Sequence, residues 1–173
     1  MLYTFNLFIM KILGIDPGTA ITGWAVIDTD GRIVSRKKVP KVVGCGVITT
    51  KAKTPDSDRL EIIYDSICDI INKEKPDIVA VEELFFFKNV KTVMSVSQTR
   101  GAVLLAIKKS KTSCTEFTPL EVKQAVVGYG RADKNQVQEM VKAILCLKNI
   151  PKPDDAADAL AIALCCAQTN KFI

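Results

Sequence analysis

Four acidic residues stand where chemistry could be done: Asp16 in GIDPGT, Glu82 in IVAVEE, and Asp155 and Asp158 in PKPDDAADALAIA. Carboxylate oxygens are the ligands that hard divalent cations prefer, and such a metal site can cut a phosphodiester without a nitrogen base. The chain contains no histidine. That removes Ser-His-Asp triads, Cys-His pairs and histidine zinc sites together. Any catalysis here runs on carboxylates, lysines and metal.

Each acid also has a plain structural reading. Asp16 ends an apolar run at a Pro-Gly turn, where turn aspartates are common, and short D-x-G-T segments also occur in phosphate loops of two-lobed ATPases. Glu82 ends a β-branched run. It is either buried at a cost, unless paired or metal-bound, or solvated just past the strand, and the residues alone weigh these evenly. Asp155 and Asp158, at i and i+3, share one face of a helix near its N-terminus. The helix dipole offsets their repulsion by at most about 1–2 kcal/mol, which leaves room for a bound cation. Capping would explain Asp154 or Asp155. It explains Asp158 poorly, because Ala156, Ala157, Ala159, Leu160 and Ala161 surround it with small apolar groups.

The surrounding pattern sets out what must position these groups. KILGID reads as a strand, PGT as a turn and ITGWAVID as a returning β-branched and aromatic strand, together a hairpin. DTDG at 28 to 31 signals another turn, and after the basic SRKKVPK the run VVGCGVITT reads as a third strand. Asp56 or Ser57 is suited to cap a helix whose apolar positions Leu60, Ile63, Ile67, Ile70 and Ile71 recur at helical spacing before Pro76. IVAVEE is a short buried strand. Residues 92 to 109 form a second helix, Cys114 to Thr118 a further strand, and helices at 119 to 127 and 134 to 147 flank GYGRAD. PKPDD then opens a mostly apolar final helix with the prolines and acids suited to an N-terminus. The order βββ-α-β-α-β-ααα predicts an α/β fold, a mixed five-stranded sheet flanked by helices.

A length of 173 residues supports one full core and is short for two, so residues 10–173 read as a single domain. Residues 1–9 read as an N-terminal extension or an upstream start. MLYTFNLFIM has no basic residue ahead of its apolar run and no small-residue cleavage site after it, unlike a signal peptide. No stretch approaches the roughly 18 apolar residues of a membrane span, and a cytoplasmic protein is expected. The six cysteines, Cys45, Cys68, Cys114, Cys146, Cys165 and Cys166, show no CxxC pair and sit mostly in apolar runs, the pattern of buried thiols in a reducing compartment. The net charge is +5, unevenly placed: Leu84 to Pro153 holds 12 Lys and Arg against 4 Asp and Glu. A solvated basic face is the common reading of such a segment. A phosphate-tracking surface beside an acidic site is the sharper one.

Taken in order, GIDPGTAITGWAVID, VAVEELFFFKN, SQTRGAV, TPLEVKQAVVGYGRADKNQVQEMV and PKPDDAADALAIA resemble the successive motif blocks of RuvC-type Holliday-junction resolvases. The resemblance implies an RNase H-like fold, a homodimer, and cleavage of four-way junction DNA by paired symmetric nicks in recombination and repair. It implies that Asp16, Glu82, Asp155 and Asp158 hold Mg²⁺, two ions to a site, with Mn²⁺ as a substitute. It assigns Lys123 and Lys134 to charge stabilisation at the scissile phosphate and makes Phe85 an aromatic contact to bases near the crossover. Lys88, Asn89, Arg100 and Arg131, with the two lysines, complete the implied DNA contacts. Which ring of Phe85-Phe86-Phe87 meets DNA and which packs stays open.

The helix near 92 to 109 resembles the family's dimer helix, although Val103, Leu104 and Ile107 would look the same if packed on the sheet. A branch-migration complex of the RuvA-RuvB type is the implied partner. Two departures stand out. Family members often carry histidine shortly after the last-helix acids, whereas this chain reads ALCCAQTNKFI, and SQTRG replaces QARG, which places Thr99 at a small-residue position. Three rival readings remain. A two-lobed ATPase lacks here the length and the second phosphate loop, a noncatalytic junction-binding module would not need all four acids, and the related RNA-processing branch matches fewer blocks.

Overall fold

The structure is a computed structural model and describes residues 10–29, 39–83 and 90–169. Strand β1 (Met10–Asp16) pairs antiparallel with β2 (Ile21–Thr29), and β2 with β3 (Lys41–Thr49). Helix α1 (Asp56–Glu74) leads to β4 (Ile78–Glu82), parallel to β1, and α2 (Val90–Lys109) leads to β5 (Ser113–Phe117), parallel to β4. The sheet order is β3-β2-β1-β4-β5. Three helices follow, α3 (Pro119–Val127), α4 (Lys134–Ile144) and α5 (Asp154–Gln168). The mixed five-stranded sheet expected from the sequence is present, flanked by helices.

Alternation along the strands divides the core between the two faces of the sheet. Ile12, Ala25, Ile27, Ile78, Ala80 and Phe117 pack with α3, α4 and α5. Leu13, Ile15, Val26, Ile48, Val79 and Val81 pack on the other face, against Ile63, Ile67 and Ile71 of α1 and Val103, Ala106 and Ile107 of α2. The spacing of the α1 isoleucines aligns them on one side of the helix, and each contributes about 1.5–3 kcal/mol by burial.

Helix α5 is buried almost all round, from Ala156 to Cys166 save Asp158, and lies close on β1 and β2. A Cβ on Gly14 would come within 2.2 Å of the Ala159 carbonyl oxygen, and one on Gly23 within 2.1 Å of that of Asp155. Helix and strands therefore meet backbone to backbone. Glycine on the strands and alanine on the helix are what allow it.

Several local expectations are corrected. The N-cap of α1 is Pro55, with no side-chain cap bond; Asp56 and Asp58 instead sit in the first turn, where the helix dipole favours them. Helix α4 stops at Ile144 rather than 147, because the chain turns through a left-handed Cys146, φ 50°. Of the cysteines only Cys165 and Cys166 are buried, while Cys45, Cys114 and Cys146 are exposed: alternation on edge strands and a helix-terminal turn bring them to the surface. Val103 and Ile107 are core residues of the chain itself. Among the described residues no helix is long and apolar enough to cross a membrane.

Candidate active site

Strand parity and register bring two acids together. Gly14 faces α5, so Asp16, two residues on, projects to the same side. Ile78 and Ala80 share that side, and with them Glu82. Because Ile15 pairs with Val81 in the parallel ladder, the two acids leave neighbouring strands at the same end of the sheet. The N-terminal part of α5 lies over that end and adds Asp158.

Two further helices close the site, and their starts are fixed locally. The Thr118 hydroxyl accepts from the Glu121 N–H at 3.2 Å while the Glu121 carboxylate accepts from the Thr118 N–H at 2.8 Å. Asp133 and Gln136 make the same reciprocal pair at 2.9 Å in each direction. These capping boxes set the first turns of α3 and α4, and with them Lys123 and Lys134. The result is a cavity of about 210 Å³ whose polar lining is Asp16, Glu82, Asp158, Lys123 and Lys134, walled by Val122, Val137 and Ala161 among others.

Its electrostatics are those of anions crowded together with too few cations. Burial, then the charges of Glu82, Asp158 and Asp155, push Asp16 up to about 8 against the pull of Lys134. Burial and Asp158 push Glu82 up to about 7, opposed by Lys123. Burial also raises Asp158, although Lys134 donates to it at 3.1 Å and works the other way. Desolvation depresses the Lys134 ammonium, but its hydrogen bond and charge interaction with Asp158 outweigh this and leave it raised. Asp16 feels all three other acids. It is the electrostatic centre of the cluster.

The four predicted acids are not equivalent. Asp16, Glu82 and Asp158 line the cavity, whereas Asp155 lines a separate groove of about 550 Å³ with Gly18–Ile21, Arg59, Ser95 and Val96. Although i, i+3 spacing predicts a shared face, Asp155 lies against the β1–β2 turn, close enough for its charge to reach Asp16. Neither Asp154 nor Asp155 caps α5, whose N-cap is Pro153 with no side-chain bond; Asp154 pairs instead with Lys152 at 2.9 Å and Lys134 at 3.7 Å. Among the described residues no three acidic side chains, as positioned, close on one point as a preformed ion cage would.

Of the other expected contacts, Phe85, Lys88 and Asn89 lie outside the described residues. Arg100 does not project as a free cation: its guanidinium is ion-paired with Glu116 of β5. Arg131 is exposed in the α3–α4 connection and lines a different groove with Leu120 and Tyr129. Sequence reasoning missed the two capping boxes, although TPLE and DKNQ carry their signature, and it missed the close approach at Gly14 and Gly23, which no local pattern reveals.

A five-stranded mixed sheet with carboxylates at the ends of the adjacent strands β1 and β4 and on the helix packed across them defines the RNase H-like class. The profile of one family, "Crossover junction endodeoxyribonuclease RuvC", matches residues 12–166. A RuvC crossover junction endodeoxyribonuclease of Halothermothrix orenii is 54% identical over 90% of this chain and 91% of its own. The Thermus thermophilus RuvC structure has 35% identity and a TM-score of 0.81, covering 90% of this chain and 92% of that one. T. thermophilus RuvC in complex with a Holliday junction substrate has 34% identity and a TM-score of 0.84, covering 92% and 93%. The chain belongs to the RuvC family of crossover junction endodeoxyribonucleases, enzymes that hydrolyse phosphodiester bonds.

Proposed function

We propose that this chain resolves four-way DNA junctions in recombination and repair, in the cytoplasm, by metal-dependent hydrolysis at the Asp16–Glu82–Asp158 cavity. The observation that carries the reading is the convergence of three carboxylates and two lysines on one cavity in a chain so like a RuvC seen with a Holliday junction. The donor set fits a hard divalent cation: all its ligands are oxygens, and burial and mutual repulsion make a positive charge welcome. Asp16, Glu82 and Asp158 would hold Mg²⁺, with Mn²⁺ as substitute, and Asp155, whose charge reaches Asp16 from the neighbouring groove, would serve a second ion. An ion there supplies water activation and charge stabilisation for in-line displacement. Lys123 and Lys134 place positive charge where the phosphate gains negative charge. Lys134 pairs with Asp158 at 3.1 Å, and a bound ion would compete with it for that carboxylate.

Two symmetric nicks call for two symmetric sites. Helix α2 offers a surface for a second copy, since Met94 (62% exposed) and Leu105 (52%) stand on one side with Gly101, where an added Cβ would meet nothing within 4 Å. A branch-migration complex of the RuvA-RuvB type then delivers the junction. The decisive test is cleavage of a synthetic mobile four-way junction beside a linear duplex and an RNA–DNA hybrid, with and without Mg²⁺. Paired nicks on the junction alone, only with metal, are expected; equal cutting of the hybrid would overturn the substrate assignment.

A further inference from the structure

The turn after Asp16 is held by an unusual number of side chains. Thr19 lies three residues beyond Asp16, and its hydroxyl stands 2.9 Å from the hydroxyls of both Ser95 and Thr99 of α2. Its carbonyl accepts from the Thr50 hydroxyl at 2.6 Å, which in turn accepts from Arg59 Nε at 2.8 Å. Within the turn, the Thr22 hydroxyl donates to the Gly18 carbonyl at 2.7 Å, and the Gly18 N–H to that of Asp16 at 3.1 Å. Thr99 is fully buried, a place where a small apolar side chain would pack without needing a partner. A buried hydroxyl is tolerated when it is hydrogen-bonded, and here the bond goes to the turn that follows the most strongly perturbed acid.

We propose that Thr99 and Ser95 are positioning residues for the carboxylate site: by fixing the Thr19 hydroxyl from α2, they hold the Pro17–Gly18 turn that aims Asp16 and so set the affinity of the site for divalent cations. The proposal rests on Asp16 being a cation ligand. Thr19 is held directly from α2 and from Thr50, the residue after β3, and Arg59 of α1 holds Thr50 in turn, so the turn has little freedom of its own. Hydroxyl bonds are short and directional, whereas apolar packing would tolerate small displacements of the turn. A shift of a few tenths of an ångström at Asp16 matters because oxygen-ligand distances to Mg²⁺ are confined to a narrow range. Neither Thr99 nor Ser95 lines the carboxylate cavity. Ser95 lines the groove shared with Asp155, whereas Thr99 lines neither, so the effect of Thr99 passes through the turn.

The test is a calorimetric Mn²⁺ titration of the metal-free full-length chain, paired with the metal dependence of junction cleavage. Thr99→Val, which keeps shape and removes the hydroxyl, is expected to raise the half-saturating Mn²⁺ concentration roughly three- to tenfold, the cost of one hydrogen bond in affinity. Junction binding without metal should stay unchanged, and Thr99→Ser should restore the midpoint. Thr19→Val with Thr99→Val should be no worse than the more impaired single variant, because both remove the same bond. An unshifted midpoint in Thr99→Val, failure of Ser to rescue, or additive effects would overturn the proposal. If Thr99→Val does not fold, Ser95→Ala carries the same expectation and the same refutation. Asp16→Asn separates the two levels of the claim: loss of Mn²⁺ binding there with no shift in Thr99→Val refutes positioning alone, while retained binding refutes Asp16 as a ligand.

Discussion

On one face of the sheet α5 meets the strands backbone to backbone, whereas on the other α1 and α2 stand off on branched side chains. The first face tolerates no added carbon at Gly14 or Gly23; the second is an ordinary aliphatic core of Ile63, Ile67, Ile71, Val79, Val81 and Val103. The acids sit at the end of the first. Backbone contact leaves no side-chain rotamers between strand and helix to relax, so the spacing of Asp16 from Asp158 is built into the packing itself. The second face can afford adjustment, and there polar contacts from α2 do the aligning.

The largest difference should appear when Asp16 is changed. Asp16→Asn is expected to lower junction cleavage by about 10³-fold while making the metal-free protein more stable, by on the order of 1–3 kcal/mol at pH 8 in urea unfolding. The sign follows from protonation. Asp16 is raised from 3.8 to about 8 in the fold, so between those values the folded chain binds the proton more tightly than the unfolded one. Stability without metal should therefore fall as pH rises through that window, and the slope should lessen in Asp16→Asn. Metal and protons compete for the same oxygens, so the thermal upshift produced by Mg²⁺ should grow from pH 6 to pH 8. A pH-independent upshift would count against the carboxylate cluster as its source.

Next in size, Gly14→Ala should cost about 1–3 kcal/mol or more, because backbone rather than a flexible side chain stands in the way. A neutral result in urea unfolding would mean that α5 can slide. Smallest for the protomer is Leu105→Asp on the outer side of α2. It should change urea stability by no more than about 0.5 kcal/mol, yet shift sedimentation toward single chains. A dimer that survives the change would show that this side of α2 is not where two copies meet.

Much of this arrangement was legible because periodicity reports burial. The α1 isoleucines, the β-branched strand ending at Glu82 and the alanine-rich last helix each announced an element, and ordered motif blocks joined the acids before any contact was visible. What was hidden depended on tertiary approach. Nothing local in GID or TGW says that a helix backbone rests on those glycines. Helical spacing alone does not show that Asp158 lines the cavity while Asp155 lines the neighbouring groove, and nothing in the sequence pairs Arg100 with Glu116, sixteen positions on. Thr99 stands out in the sequence as an oddity of type, but its bond to Thr19 is visible only in the fold.

The two capping boxes have a last consequence. Each lysine of the cavity belongs to a helix that counts its residues from its own reciprocal lock, Thr118 with Glu121 and Asp133 with Gln136. The stretch between Gly128 and Ala132 therefore does not set the place of either lysine along its helix; each is counted from its own lock.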